Sequence, residues 1–366
     1  VSTPDEVAVP RAGEIGGAAD IVVVGAGIVG ARVTRELLTP TASGAPSVRS
    51  VSLIGRRADR VAALARSFGS SARVTTAAAH GPVAIDRKAT TVVVTRAAGE
   101  QLDVAREQIA QGRHVVTTTD DPVEVEQLLA LDDLARDAGV TLVVGAAMAP
   151  GMSCLLVRHA AELLDRVDEV HVSRHGAAGP GCARQRLRAL RGTAVDWRDG
   201  EWVRRPGFSG RELSWFPDPI GARDCYRAAL ADPLLLVPAL PGVGRVTARL
   251  AANRRDRALA PFPVLWPPPV EGGLGAVRVE LRGDRGGARE TVVYGVLDRP
   301  AIAAGATAAV AALVVAAGAE APGATGLAGL AGTTPMLVEL ARRGVRAAVF
   351  EGAQATPLSV TPADPA

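Results

Sequence analysis

The 366-residue chain is short of cysteine, aromatic residues and lysine, and each shortage excludes something. Cys154, Cys182 and Cys225 are the only cysteines, too widely spaced for a Cys-X-X-Cys metal or redox pair, and no metal-ligand spacing occurs elsewhere. Isolated cysteines of this kind point to a reducing compartment, so a cytoplasmic setting is expected. Lys88 is the single lysine, and the formal net charge of +3 is too small to argue for nucleic acid or an anionic membrane as partner. Long apolar runs are also scarce. The one candidate, Ala301 to Gly318, is mostly alanine and reads as a buried helix rather than a membrane span. Residues 1–19 are polar and carry no apolar signal core, which predicts a disordered tail and no export.

What is present is concentrated near the N-terminus. Ile21-Val22-Val23-Val24 is a strand-type run that breaks into Gly25-Ala26-Gly27-Ile28-Val29-Gly30 and continues as a helix. In a dinucleotide site each glycine has its own task. Gly25 permits the tight turn, Gly27 admits a pyrophosphate to the backbone, and Gly30 lets the helix pack close to the strand. The phosphates would rest on the unpaired N–H groups at the helix start.

Short β-branched runs alternate with helical segments to about residue 150, as a parallel sheet covered on both faces requires. After Pro150-Gly151 the pattern changes. Val170 to His175 alternates with period two, and Ala276 to Leu281 and Glu290 to Leu297 read as a hairpin joined by residues 282–287. The expected fold is therefore α/β: a doubly wound Rossmann sheet over 20–150, then an α+β domain over 151–298 with a mainly antiparallel open sheet. C-terminal helices over 299–352 would pack back on the core, and 353–366 would form a tail. The second domain is expected to carry the contacts of a homodimer.

The end of the second strand, Ile54-Gly55-Arg56-Arg57, lacks the carboxylate that holds the ribose hydroxyls in NAD sites. Arg56 and Arg57 suit a 2′-phosphate, so NADP(H) is the expected cofactor, although solvated surface arginines would look the same. Thr95, Arg96, Thr118 and Met148 stand at the carboxyl ends of later strands, where ligands bind such sheets. Asp120 stands there too, and suits equally a catalytic acid or a cap for the helix starting near Pro122.

The segment Gly145-Ala146-Ala147-Met148-Ala149-Pro150-Gly151-Met152-Ser153, taken with the glycine signature, resembles the saccharopine dehydrogenase-like family and its relative meso-diaminopimelate dehydrogenase. The resemblance covers residues 20–155, and more loosely the strand, hairpin and helix order beyond 165. It implies NADPH-linked oxidoreduction at a carbon–nitrogen bond of an imine or amino acid derivative. It also sets Pro150, Gly151 and Ser153 beside the nicotinamide as substrate contacts. Ala149 stands where family members often carry Asp before the Pro-Gly, and Lys88 matches no lysine–histidine pair.

Residues 171–185 are the densest polar stretch. On a strand, His171, Ser173 and His175 share one face, and that face is expected to look into the cofactor cleft, with His175 as general acid or base. Ser173, Arg184 and Gln185 are the expected substrate contacts, Arg184 and Gln185 as partners of a substrate carboxylate, although an exposed helix start accounts for those two at least as well. Two rival functions fit the same residues: an enoyl or carbonyl reductase on an apolar substrate, and a non-catalytic NADP-binding sensor.

Overall fold

The computed structural model describes residues 19–42, 47–69, 74–78, 85–86, 88–253, 256, 272–351 and 354–358. The expected N-terminal tail up to residue 18 and most of the expected C-terminal tail lie outside them.

Two sheets organise the chain. The first is a seven-stranded parallel sheet. In chain order its elements are β1 (Asp20–Val24), α1 (Ile28–Leu38), β2 (Ser50–Gly55), α2 (Ala58–Ser67), β3 (Val74–Ala78), β4 (Thr91–Val94) and α3 (Leu102–Ala110). Next come β5 (His114–Thr117), α4 (Pro122–Leu129), α5 (Asp132–Asp137) and β6 (Thr141–Val143). The spatial order β3-β2-β1-β4-β5-β6 is that of a Rossmann sheet, with β1 central and β4 beside it. Both faces are covered, which is why β1, β4 and β5 are near-continuous Val and Ile and almost wholly buried.

The chain then crosses into the second sheet through α6 (Met152–Ala161). That sheet takes β7 (Arg166–His175), β8 (Thr193–Arg198), β9 (Glu201–Pro206), β10 (Glu212–Phe216) and β11 (Gly221–Arg227), with α7 (Pro180–Arg191) after β7 and α8 (Asp232–Leu236) after β11. β12 (Arg245–Ala251), β13 (Gly275–Arg285) and β14 (Ala288–Asp298) follow. The order is β10-β11-β12-β7-β13-β14, mainly antiparallel, with β12 parallel to β7. α6 packs on the face of this sheet that carries Val170, Val172, Val279 and Tyr294, and joins both sheets in one core.

Several elements differ from the sequence expectations. The hairpin is longer than expected: its strands run to Arg285 and from Ala288, leaving a two-residue turn, Gly286-Gly287. Both glycines have positive φ (57° and 81°), as such a turn demands. The helix expected to start near Pro122 ends at Leu129, and the shorter α5 follows it after residues 130–131. The alanine-rich α9 (Pro300–Ala316) is the buried helix expected, and it lies against α1, where a Cβ on Gly305 would come within 2.5 Å of Arg32. Among the described residues no helix is long and apolar enough to cross a membrane.

After α9 the chain adds β15 (Gly323–Thr325) to the parallel sheet beside β6. α10 (Thr333–Arg342) packs against α9, and β16 (Ala347–Glu351) and β17 (Gln354–Pro357) extend the second sheet beyond β14.

Candidate cofactor and substrate cleft

The glycine turn is held by the chain itself at two of its three glycines. Gly25 has φ +131°, and a Cβ there would stand 2.4 Å from Thr95 Oγ1. A Cβ on Gly30 would stand 1.8 Å from the carbonyl oxygen of Gly25. Thr95 stitches the turn by donating its hydroxyl to the Gly25 carbonyl at 3.1 Å. Gly27 is different. Its φ of −82° suits any residue, and nothing lies within 4 Å of the position its Cβ would take. It is exposed and caps α1 without a side-chain bond, so the N–H groups of Ile28, Val29 and Gly30 have no helical acceptor. No packing contact requires glycine at 27, and those N–H groups are open to a ligand.

The flanking loops are fixed by buried polar side chains. Gln101 donates to the Arg96 carbonyl at 2.8 Å and accepts from Thr118 N–H at 2.9 Å. The Glu124 carboxylate takes the N–H groups of Gly99, Gln101 and Leu102. Thr118 also donates its hydroxyl to the Val94 carbonyl at 3.2 Å. At the end of β2, Arg56 and Arg57 are both exposed: Arg56 lies 3.7 Å from Glu100, and Arg57 is paired with Asp59 at 2.6 Å. The Asp59 bond raises the Arg57 pKa.

The Pro-Gly turn closes the opposite side. Met148 is buried, the Ala149–Pro150 peptide is cis, and Gly151 has φ +123° with room for no side chain, a Cβ meeting the Ala147 oxygen at 2.2 Å. Ser153 does not face open solvent: it is fully buried and donates to Asp232 at 2.6 Å. Burial pushes the Asp232 carboxyl above its ordinary range, against the nearby Arg174 charge, and its second oxygen has no hydrogen-bond partner.

Arg174 is the residue that sequence reasoning missed. The structure reverses the expected orientation of β7: Val170, Val172 and Arg174 face α6 and the parallel sheet, while His171, Ser173 and His175 face away. Arg174 is nearly buried. It donates to the Ala149 carbonyl at 2.5 Å and pairs with Asp120 at 3.2 Å. Asp120 thus spans the two halves of the molecule. It is not the helix cap, which is Asp121, accepting from Val123 and Glu124 N–H. The available signal was an arginine in register with two buried valines, a charge that must find a partner inside.

His175 and Ser173 are consequently separated from Asp120. The His175 ring packs against Phe216 at 6.1 Å, and burial, then Arg223 and Arg186, hold its pKa below the ordinary value. Ser173 is bonded to Ser214 at 2.9 Å. Gln185 donates to Asp121 at 3.1 Å, which ties α7 to α4, and Arg184 is exposed. Burial pushes the thiols up, Cys154 to about 12 and Cys225 to about 11, so neither is an activated nucleophile. Among the described residues no cluster could hold a metal ion.

No family model and no curated protein matches the chain. Solved structures do. Saccharopine dehydrogenase (L-Glu forming) from Saccharomyces cerevisiae superposes with a TM-score of 0.65 at 14% identity, over 91% of this chain and 100% of that one. Diaminopimelate dehydrogenase from C. glutamicum, in complex with DAP, gives 0.49 at 16% identity over 89% and 99%. An engineered D-amino acid dehydrogenase bound to NADP+ gives 0.49 at 15% over 90% and 100%. The shared property is the fold: a Rossmann sheet followed by a mainly antiparallel one.

Proposed function

We propose that the chain is an NADP(H)-dependent oxidoreductase that transfers hydride to or from the carbon–nitrogen bond of an imine or amino acid derivative. The observation that carries the reading is Gly27, an exposed glycine with ordinary φ and empty space at the open N–H end of α1. Gly25, Ala26, Gly27, Ile28, Val29 and Gly30 would hold the pyrophosphate, with Thr95 and Thr118 along the cleft and Met148 as an apolar wall. Arg56 and Arg57, with no carboxylate at the tip of β2, favour the 2′-phosphate of NADP over NAD. The saccharopine dehydrogenase fold is in keeping with this chemistry but does not select the substrate.

A nicotinamide held there would supply the hydride for the imine carbon, or take it in the reverse direction. The residues of the chain handle the nitrogen. Asp120, a partly exposed carboxylate beside Arg174, would attract the iminium nitrogen during reduction, and in the reverse direction would accept the proton that the substrate ammonium gives up before hydride leaves the carbon. Arg174 fixes Asp120 in place and links it to the Ala149 carbonyl at the Pro-Gly turn. We assign the proton-handling role to Asp120 and none to His175, which lies on the other face of β7. The experiment is an NADPH-oxidation screen with small 2-oxo acids and ammonium. Turnover that is lost in Asp120→Asn and kept in His175→Asn supports the reading, and the opposite pattern removes it.

A further inference from the structure

A cavity of about 270 Å³ lies between α1, α2 and the start of α9. Its α1 wall is a single stripe, Ile28, Ala31, Arg32 and Arg35, spaced as residues of one helix face are. Leu64 and Phe68, one turn apart at the end of α2, form the second wall, and Ile302 in the first turn of α9 the third. At about 1.5 Å per residue, Arg35 stands about 10 Å along α1 from Ile28. The cavity therefore leads away from the N–H groups of the glycine turn. Its volume falls just below the roughly 300–1,000 Å³ of ordinary small-molecule sites, too little for a dinucleotide.

The charge around it is one-sided. Arg35 is exposed at the rim, its guanidinium 5.9 Å from the centre of the Phe68 ring, and among the described residues it pairs with no carboxylate. Arg32 gives a terminal nitrogen to Glu36 at 2.5 Å, and its Nε–H has no acceptor. Glu36 also answers Arg343 at 2.9 Å, so one carboxylate faces two guanidiniums. Asp298 lies near enough to feel the Arg32 charge, but it accepts from the Arg299 N–H at 2.7 Å. The start of α9 adds the positive end of a 17-residue helix with no acidic residue in its first turn and no capping side chain. The remaining walls are apolar, and Ile28, Leu64, Phe68 and Ile302 each keep part of their surface exposed. Cationic charge in excess over an apolar floor suits a ligand that has both an anionic and an apolar part.

We propose that this cavity binds a small amphiphilic anion, a carboxylate or phosphate monoester that carries an apolar chain. The head pairs with Arg35, reinforced by the Arg32 charge and the start of α9, while the chain lies on Ile28, Leu64 and Phe68. Neither a bare anion nor an uncharged apolar molecule satisfies both kinds of wall. The site uses the side chain of Ile28 and not its N–H, so it does not depend on the cofactor reading.

The test is calorimetric titration of the full chain with octanoate and with octyl phosphate, below their micellar concentrations and at fixed ionic strength. Acetate and octanol present the head alone and the chain alone. Wild type, Arg35→Gln, Ala31→Phe and Gly27→Ala are compared, with melting curves to verify folding. Ala31→Phe fills the cavity without altering its charge. One of the two amphiphiles is expected to bind saturably, one to one, and about tenfold or more tighter than acetate or octanol. It should weaken by about tenfold or more in Arg35→Gln and in Ala31→Phe. Gly27→Ala should leave that binding unchanged. The absence of saturable binding by both amphiphiles would overturn the proposal. So would octanol binding as tightly as they do, which marks an apolar surface alone. Binding that survives either cavity variant, or that disappears in Gly27→Ala and so belongs to the glycine turn, would overturn it as well.

Discussion

Asp120, just beyond the end of a parallel strand, meets Arg174 of the second sheet at 3.2 Å, and this ion pair bridges the two halves of the molecule. Arg174 is 11% and Asp120 22% exposed, so the pair sits between the fully solvated and the fully buried limits. Removing either charge leaves the other in a partly desolvated site. Asp120→Asn should lower turnover by about a hundredfold or more, the usual scale for a group that moves a proton. NADPH affinity should change little, which fluorescence titration of the same variant checks.

Gly27 and Gly30 should respond oppositely to the same substitution. At Gly27 a Cβ meets nothing within 4 Å, so Gly27→Ala should fold and melt close to wild type while NADPH binding weakens by about tenfold or more. At Gly30 a Cβ would stand 1.8 Å from the Gly25 oxygen, so Gly30→Ala should destabilise the whole Rossmann sheet. Thermal melts beside NADPH titrations separate the two outcomes.

His175 has a pKa below its ordinary value, first through burial and then through Arg223 and Arg186. A depressed histidine pKa means that the folded state binds protons less readily than the unfolded chain. The stability it contributes is therefore complete above the unfolded value of about 6.5, and is lost as pH falls through the folded value. In His175→Asn the melting temperature should fall less steeply below about pH 6.5 than in wild type. Parallel acid limbs in the two proteins would show that His175 titrates alike in both states.

Arg343 joins the C-terminal helix to α1 through buried ion pairs with Glu36 at 2.9 Å and Glu339 at 2.8 Å, its own side chain being fully buried. Arg343→Met strips both carboxylates of this partner, and a loss of about 3–5 kcal/mol is expected from the broken network. Urea unfolding of the single variant, and of Arg343→Met combined with Glu36→Gln, measures this. The second change should recover part of the loss.

The readable parts of the chain were those in which local pattern and tertiary environment agree. β1, the glycine turn and α1 follow one another in sequence, and the apolar run is buried on both faces as such runs must be. β15 could not be read: Gly323-Ala324-Thr325 has no strand signal, and its place beside β6 depends on contacts with residues 141–143, far back in the chain. β8 to β11 are dense in arginine and carboxylates because much of their surface is exposed, which obscures the period-two pattern. On β7 the alternation was legible but its direction was not. Polar residues looked like the face lining the cleft, whereas they form the row beneath β10, and the cleft received the one charged residue among the valines.

The most direct measurement follows the fluorescence of bound NADPH and NADH in wild type and in Arg56→Ala/Arg57→Ala. NADPH should bind more tightly than NADH to wild type. The double variant should lose about tenfold or more of NADPH affinity, the scale of one or two charge-assisted hydrogen bonds, while NADH binding stays nearly constant. If neither nucleotide binds wild type, the open space at Gly27 holds no dinucleotide and the oxidoreductase account is contradicted.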